Sequence, residues 1–201
     1  MTEQFSPQPS SWPQFGLGMR MFFPIAVSIA AYGVVWGVLA GQAGMSVAEV
    51  LLMSGLVYAG ASQFVAVTLW VPGAPPIWTI VLAVAIINLR LLLMSATLRP
   101  LMRDTPRWRA ALAMFVVSDE QWALTMSELL KGRGSVAFML GTGVLAWGAW
   151  VASTLTGRLL GAVIADPATY GLDFAFTATF LALLLGMWKG RGDIVPWAVA
   201  G

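Results

Sequence analysis

Five polar residues stand inside long apolar runs: Asn88 and Arg90 in one, and Asp119, Glu120 and Gln121 in the next. A charge at the centre of a membrane span costs at least ~2.5 kcal/mol on insertion scales, so each calls for a partner or a wet cavity. Arg90 and Asp119 lie at equal offsets from the middle of the segment that joins their runs. If the two runs form an antiparallel hairpin, the pair sits at one depth and can form an ion pair. Glu120 points about 100° away on a helix of 3.6 residues per turn and needs a different partner. The plain structural reading is that Arg90 and Asp119 neutralise one another and fix helix register. The functional reading is that the layer lines a substrate or proton path, with Asp119 or Glu120 as the proton carrier.

A second cluster, Ser54-Gly55 and Ala59-Gly60-Ala61-Ser62-Gln63, concentrates small and hydrogen-bonding residues in the middle of another apolar run. Glycine there costs about 1 kcal/mol of helix propensity. Such an interruption marks either a close helix crossing, with Ser62 and Gln63 bonded to neighbours, or a discontinuous helix whose freed amides and carbonyls hold a solute.

The elements that must position these residues are membrane spans. Of 201 residues 59% are apolar and 10% charged, too few charges to cover a water-soluble globule of this length. No cysteine or histidine is present, which excludes disulfides, thiolate catalysis, Ser-His chemistry and Cys/His metal sites. No metal, cofactor or enzymatic activity is expected, and no basic run suggests nucleic acid. Six apolar stretches, at 22–41, 48–70, 77–99, 110–130, 135–157 and 174–188, approach the ~20 residues that cross a bilayer. An incomplete seventh begins at Ile194 and is cut off at Gly201. The expectation is an all-α polytopic transmembrane bundle of about six spans, the second discontinuous. Residues 1–21 form a polar N-terminal segment and 22–201 a single transmembrane transport domain.

Gly33, Gly37 and Gly41 share one helix face, and Ala149, Ser153, Gly157 and Gly161 share another, spacings that let helices approach closely within one bundle or against a partner. Glu49, Glu128 and Arg158 fall near segment ends and read as ordinary interface charges.

Taken in order, Phe23-Pro24-Ile25, Tyr32-Gly33-Val34-Val35-Trp36-Gly37, Tyr58-Ala59-Gly60-Ala61-Ser62-Gln63-Phe64, Asn88-Leu89-Arg90 and Ser118-Asp119-Glu120-Gln121-Trp122-Ala123 form one pattern. From about residue 20 to 190 the chain resembles the AzlC-type branched-chain amino acid permease family. The resemblance implies a multi-pass exporter of branched-chain amino acids in the bacterial cytoplasmic (inner) membrane, the large subunit of a pair completed by a small AzlD-type membrane protein. A zwitterion needs donors for its carboxylate and acceptors for its ammonium. Arg90, Asn88 and the amides from Gly60 through Ala61 and Ser62 to Gln63 suit the first, and Asp119 or Glu120 the second. Phe64, Trp122 and Trp36 suit an apolar wall. With no phosphate-binding loop, energy would come from an ion or substrate gradient. From other classes, a non-transporting assembly subunit and, more weakly, a small-solute channel stand as alternatives.

Overall fold

The computed structural model describes residues 11–161, and all the regular structure within them is helical. The element order is α1 (Trp12–Gln42), α2 (Val47–Leu52) running into a π-helical turn (Met53–Val57), α3 (Gly60–Thr68), α4 (Ile77–Thr97), α5 (Arg99–Met102), α6 (Arg107–Phe115), α7 (Asp119–Leu130) and α8 (Val136–Gly161). The first helix starts ten residues earlier than hydropathy alone predicts, because Ser11 stands at its N-cap and Pro13 in its first turn, where a missing N–H costs nothing. Ser46 and Glu49 form a reciprocal capping box at the start of α2, so Glu49 is a cap and not a loose interface charge.

The long helices α1 and α8 pack face to face through their small residues. A Cβ on Gly18 would strike Phe138, one on Gly33 would strike Ser153, one on Gly37 would strike Thr154 and one on Gly157 would strike Val34. The two glycine faces expected from the sequence therefore meet each other within the chain. Contact numbers rise together along both helices, so α1 and α8 run parallel and an odd number of crossings separates them.

That number is one. Among the described residues three helices, α1, α4 and α8, are long and apolar enough to cross a membrane. The segments at 48–70 and 110–130, expected to cross, instead enter and leave on the same side. Arg158, near the end of α8, donates from Nε to the Met45 carbonyl at 2.7 Å, and Trp147 donates to the Gly55 carbonyl at 3.0 Å, so α2 descends antiparallel to α8. After α3 the chain returns to where it entered, since a Cβ on Gly44 would lie 3.0 Å from Pro72 Cγ. At the opposite end, Leu98 and Leu101 after α4 share a buried cluster with Leu129, Val136 and Met139, and Pro106 and Trp108 line one groove with Val136 and Leu140, so α6 starts and α7 ends beside the start of α8. The turn between them reaches up to Gly143, whose added Cβ would strike Val116.

The physical reason is length. The limbs of both hairpins, 9 to 12 residues each, rise about 14–18 Å at 1.5 Å per residue, half of a ~30 Å hydrocarbon layer. The second segment is broken as expected. The break in the fourth, at Val116 to Ser118, corrects the continuous span expected there. The described residues thus form three crossing helices and two re-entrant hairpins, one from each side. The stretches at 174–188 and from Ile194 onward lie outside the described residues.

Two other charges depart from the simple interface reading. Glu128 is buried and accepts from Lys131 Nζ at 2.9 Å and Arg133 Nε at 2.9 Å, because the turn after α7 folds both cations back onto it. Those bonds, and the carboxylate charge itself, push the exposed Arg133 guanidinium above its usual value. Arg158 ties the α1–α2 turn to α8.

Candidate functional site

The two hairpin tips meet. Tyr58, at the first tip, adopts a left-handed conformation (φ 43°), the one positive φ at a non-glycine among the described residues. A bulky residue accepts such a backbone only where its surroundings hold it. The buried Tyr58 phenol lies beside the Ser118 side chain of the second tip, within the electrostatic reach of the Glu120 carboxylate. Both α3 and α7 start at these tips, so the positive ends of two helix dipoles converge there. They are finished differently. The α3 end has no side-chain cap and no acidic residue in its first turn, leaving the amides of Gly60, Ala61 and Ser62 without helical partners. Ser118 caps α7 through the Gln121 amide at 3.3 Å, and Asp119 and Glu120 fill its first turn with negative charge.

Arg90 reaches this junction from α4, its Nη2 lying 2.8 Å from Asp119 Oδ2. The equal-offset argument therefore finds the right pair, by a route it did not foresee. Trp122 donates to Thr97 Oγ1 at 2.8 Å, so α7 runs parallel to α4 after the tip and does not continue antiparallel to it. Depth is matched because α6 climbs back what α4 descends past Arg90. The side chains are 37% and 40% exposed, so the pair sits in an open niche. Asn88, half-buried, keeps its Oδ1 unpaired, as Arg90 keeps its Nε. No ion pair reaches Glu120 among the described residues.

Of the expected α3 residues, Ser62 turns its hydroxyl back to the Ala59 carbonyl at 2.9 Å, and Gln63 is buried with Oε1 accepting from Trp150 Nε1 at 2.8 Å. Gly60 presents its open face to the Trp150 ring, whose atoms would lie 3.2 Å from a Cβ there. Of the expected apolar wall, Trp36 and Phe64 are buried, while Trp122 is half-buried. The sequence reading missed α8 as a contributor: Trp147 and Trp150 pin the first hairpin and the Met139 carbonyl pins the second through Gln121 Nε2 at 3.0 Å. It placed Gln121 inside an apolar run but gave it no role, and the side chain is fully buried. The signal for the second tip was present in Ser118, a capping residue ahead of Asp119-Glu120-Gln121 inside an apolar run. A separate 700 Å³ groove between Trp12, Pro100, Asp104, Trp108, Arg109 and Leu140 contains none of the expected site residues.

Comparison with known proteins matches residues 24–164 to the family described as AzlC protein. The chain is 29% identical over 199 residues to the inner membrane protein YgaZ of Escherichia coli, covering 96% of this chain and 81% of that one. It is 32% identical over 180 residues to an uncharacterized membrane protein of Archaeoglobus fulgidus, covering 88% and 77%. It is 24% identical over 178 residues to the branched-chain amino acid transport protein AzlC of Bacillus subtilis, covering 88% and 69%. No solved structure shows a significant match. With three long apolar helices and a family match across most of its length, the chain is a multi-pass membrane protein that belongs to the AzlC family.

Proposed function

We propose that this protein is a secondary transporter exporting branched-chain amino acids across the cytoplasmic membrane, as the large subunit of an exporter completed by a small AzlD-type protein. The observation that carries the reading is the junction of two re-entrant tips, one helix start left uncapped and the other filled with carboxylates. Broken helices that leave backbone groups unpaired inside a membrane are tolerated where they line a cavity. An α-carboxylate suits the amides of Gly60, Ala61 and Ser62, with Gln63, Asn88 and Arg90 near by. An ammonium suits Asp119, and Glu120 is the proton carrier. The relative from B. subtilis, named for branched-chain amino acid transport, supports the substrate class. The assembly-subunit alternative draws no support from the glycine faces, which are occupied by the α1–α8 contact.

Cells fed valine- or leucine-containing dipeptides test this. Expression with the small partner should lower intracellular valine and leucine, and Glu120→Gln should abolish that effect while the protein is still made and inserted. Unchanged amino-acid pools in cells that hold the wild-type pair would overturn the assignment.

A further inference from the structure

The starts of α3 and α7 each carry one fully buried glutamine, and α8 pins the two in opposite senses. Gln63 accepts on Oε1 from Trp150, whereas Gln121 donates from Nε2 to the Met139 carbonyl. An indole N–H only donates and a carbonyl only accepts, so neither amide can be turned over without losing its bond. The partner thereby fixes which pole stays free: a donor, Nε2, on Gln63, and an acceptor, Oε1, on Gln121. Both free poles are buried and unpaired among the described residues, a state that proteins seldom keep without a partner to receive.

Their surroundings extend the same polarity. Beside Gln63, the Trp36 ring lies 6.4 Å from that of Trp150, and its buried indole N–H is a second unpaired donor. The uncapped amides of α3 belong to this side. Beside Gln121, one turn along α7, the buried Thr125 hydroxyl is unpaired, and Asp119 and Glu120 add negative charge. Met139 and Trp150, which hold the two glutamines, stand on either side of Gly143 to Trp147 along α8. The two glutamines thus flank the level of Gly143 to Trp147, where the tips lie.

We propose that Gln63 and Gln121 are the orienting pair of the substrate site, holding an α-amino acid with its carboxylate toward Gln63 and its ammonium toward Gln121. The inference rests on the amino-acid reading above and adds what that reading leaves open, namely which hairpin reads which pole. It requires both poles of the zwitterion and assigns each to a different residue.

The test is competition against radiolabelled leucine on the protein purified together with its small partner in nanodiscs, using leucine, 4-methyl-2-oxopentanoate, which lacks the ammonium, and 3-methylbutan-1-amine, which lacks the carboxylate. Gln63→Met should weaken leucine and the oxo acid by about ten- to a hundredfold and leave the amine unchanged. Gln121→Met should weaken leucine and the amine and leave the oxo acid unchanged. If Gln63→Met fails to fold, Gln63→Glu keeps an acceptor for Trp150 and puts a negative charge where the free donor stood, and should weaken leucine and the oxo acid while strengthening the amine. Equal weakening of all three ligands by each variant, or the reversed pattern, would overturn the orientation while leaving leucine as a ligand. Failure of the wild type to bind leucine would instead overturn the amino-acid reading, and this assignment with it.

Discussion

At the scale of single residues, the Arg90–Asp119 pair anchors the second tip. Its side chains keep more than a third of their surface exposed, so the attraction is screened and worth about 1 kcal/mol or somewhat more. Removing one partner leaves the other charge unpaired in a niche where it is still partly buried, which costs somewhat more than losing the attraction. Arg90→Leu and Asp119→Leu should therefore each destabilise the protein in detergent by about 1–2 kcal/mol, with the double variant less affected than the sum. Additive losses in thermal unfolding would show that the contact carries no coupling. Much of this pair was legible beforehand, since counting residues from a turn gives depth whatever the limbs do next. Gln121 and Trp150 were not legible, because a buried amide and an indole look like ordinary span residues until the helices that bring them together are placed.

Among the elements, the α1–α8 contact depends on glycine at positions where backbone meets backbone. At Gly37 a Cβ would meet the Thr154 carbonyl, which cannot swing aside, whereas at Gly148 nothing lies within 4 Å. Gly37→Ala should lower stability by about 1–3 kcal/mol through forced separation of the helices. Gly148→Ala should be neutral or stabilising by up to about 1 kcal/mol from helix propensity. Equal melting shifts for the two would remove close approach as the explanation. The spacing of these glycines announced the contact in advance. The hairpins were hidden because hydropathy averages over a turn: residues 110–130 remain apolar through Val116 and Val117, and the Ser118 cap is a local signal that the average dilutes. The return of α3 to its starting side depends on the meeting of Gly44 with Pro72, a tertiary fact with no sequence signature.

At the largest scale the described residues form a parallel pair of spans, one antiparallel span and two hairpins that enter from opposite sides. This arrangement makes a topological prediction that six crossing helices would not. Gln42→Cys and Pro72→Cys, made in a chain that has no cysteine of its own, should label from the same side of intact vesicles with a membrane-impermeant maleimide. Labelling from opposite sides would restore a crossing second segment. The central claim joins this topology to transport: solute passes where the two tips meet. It is tested most directly by leucine counterflow in proteoliposomes holding Tyr58→Cys/Ser118→Cys together with the small partner. A bis-methanethiosulfonate cross-linker long enough to replace the reach of the Tyr58 ring should join the tips and stop the counterflow, and reduction should restore it. Formation of the cross-link with counterflow undiminished, or no cross-link at all in a variant that exchanges leucine, would contradict the account.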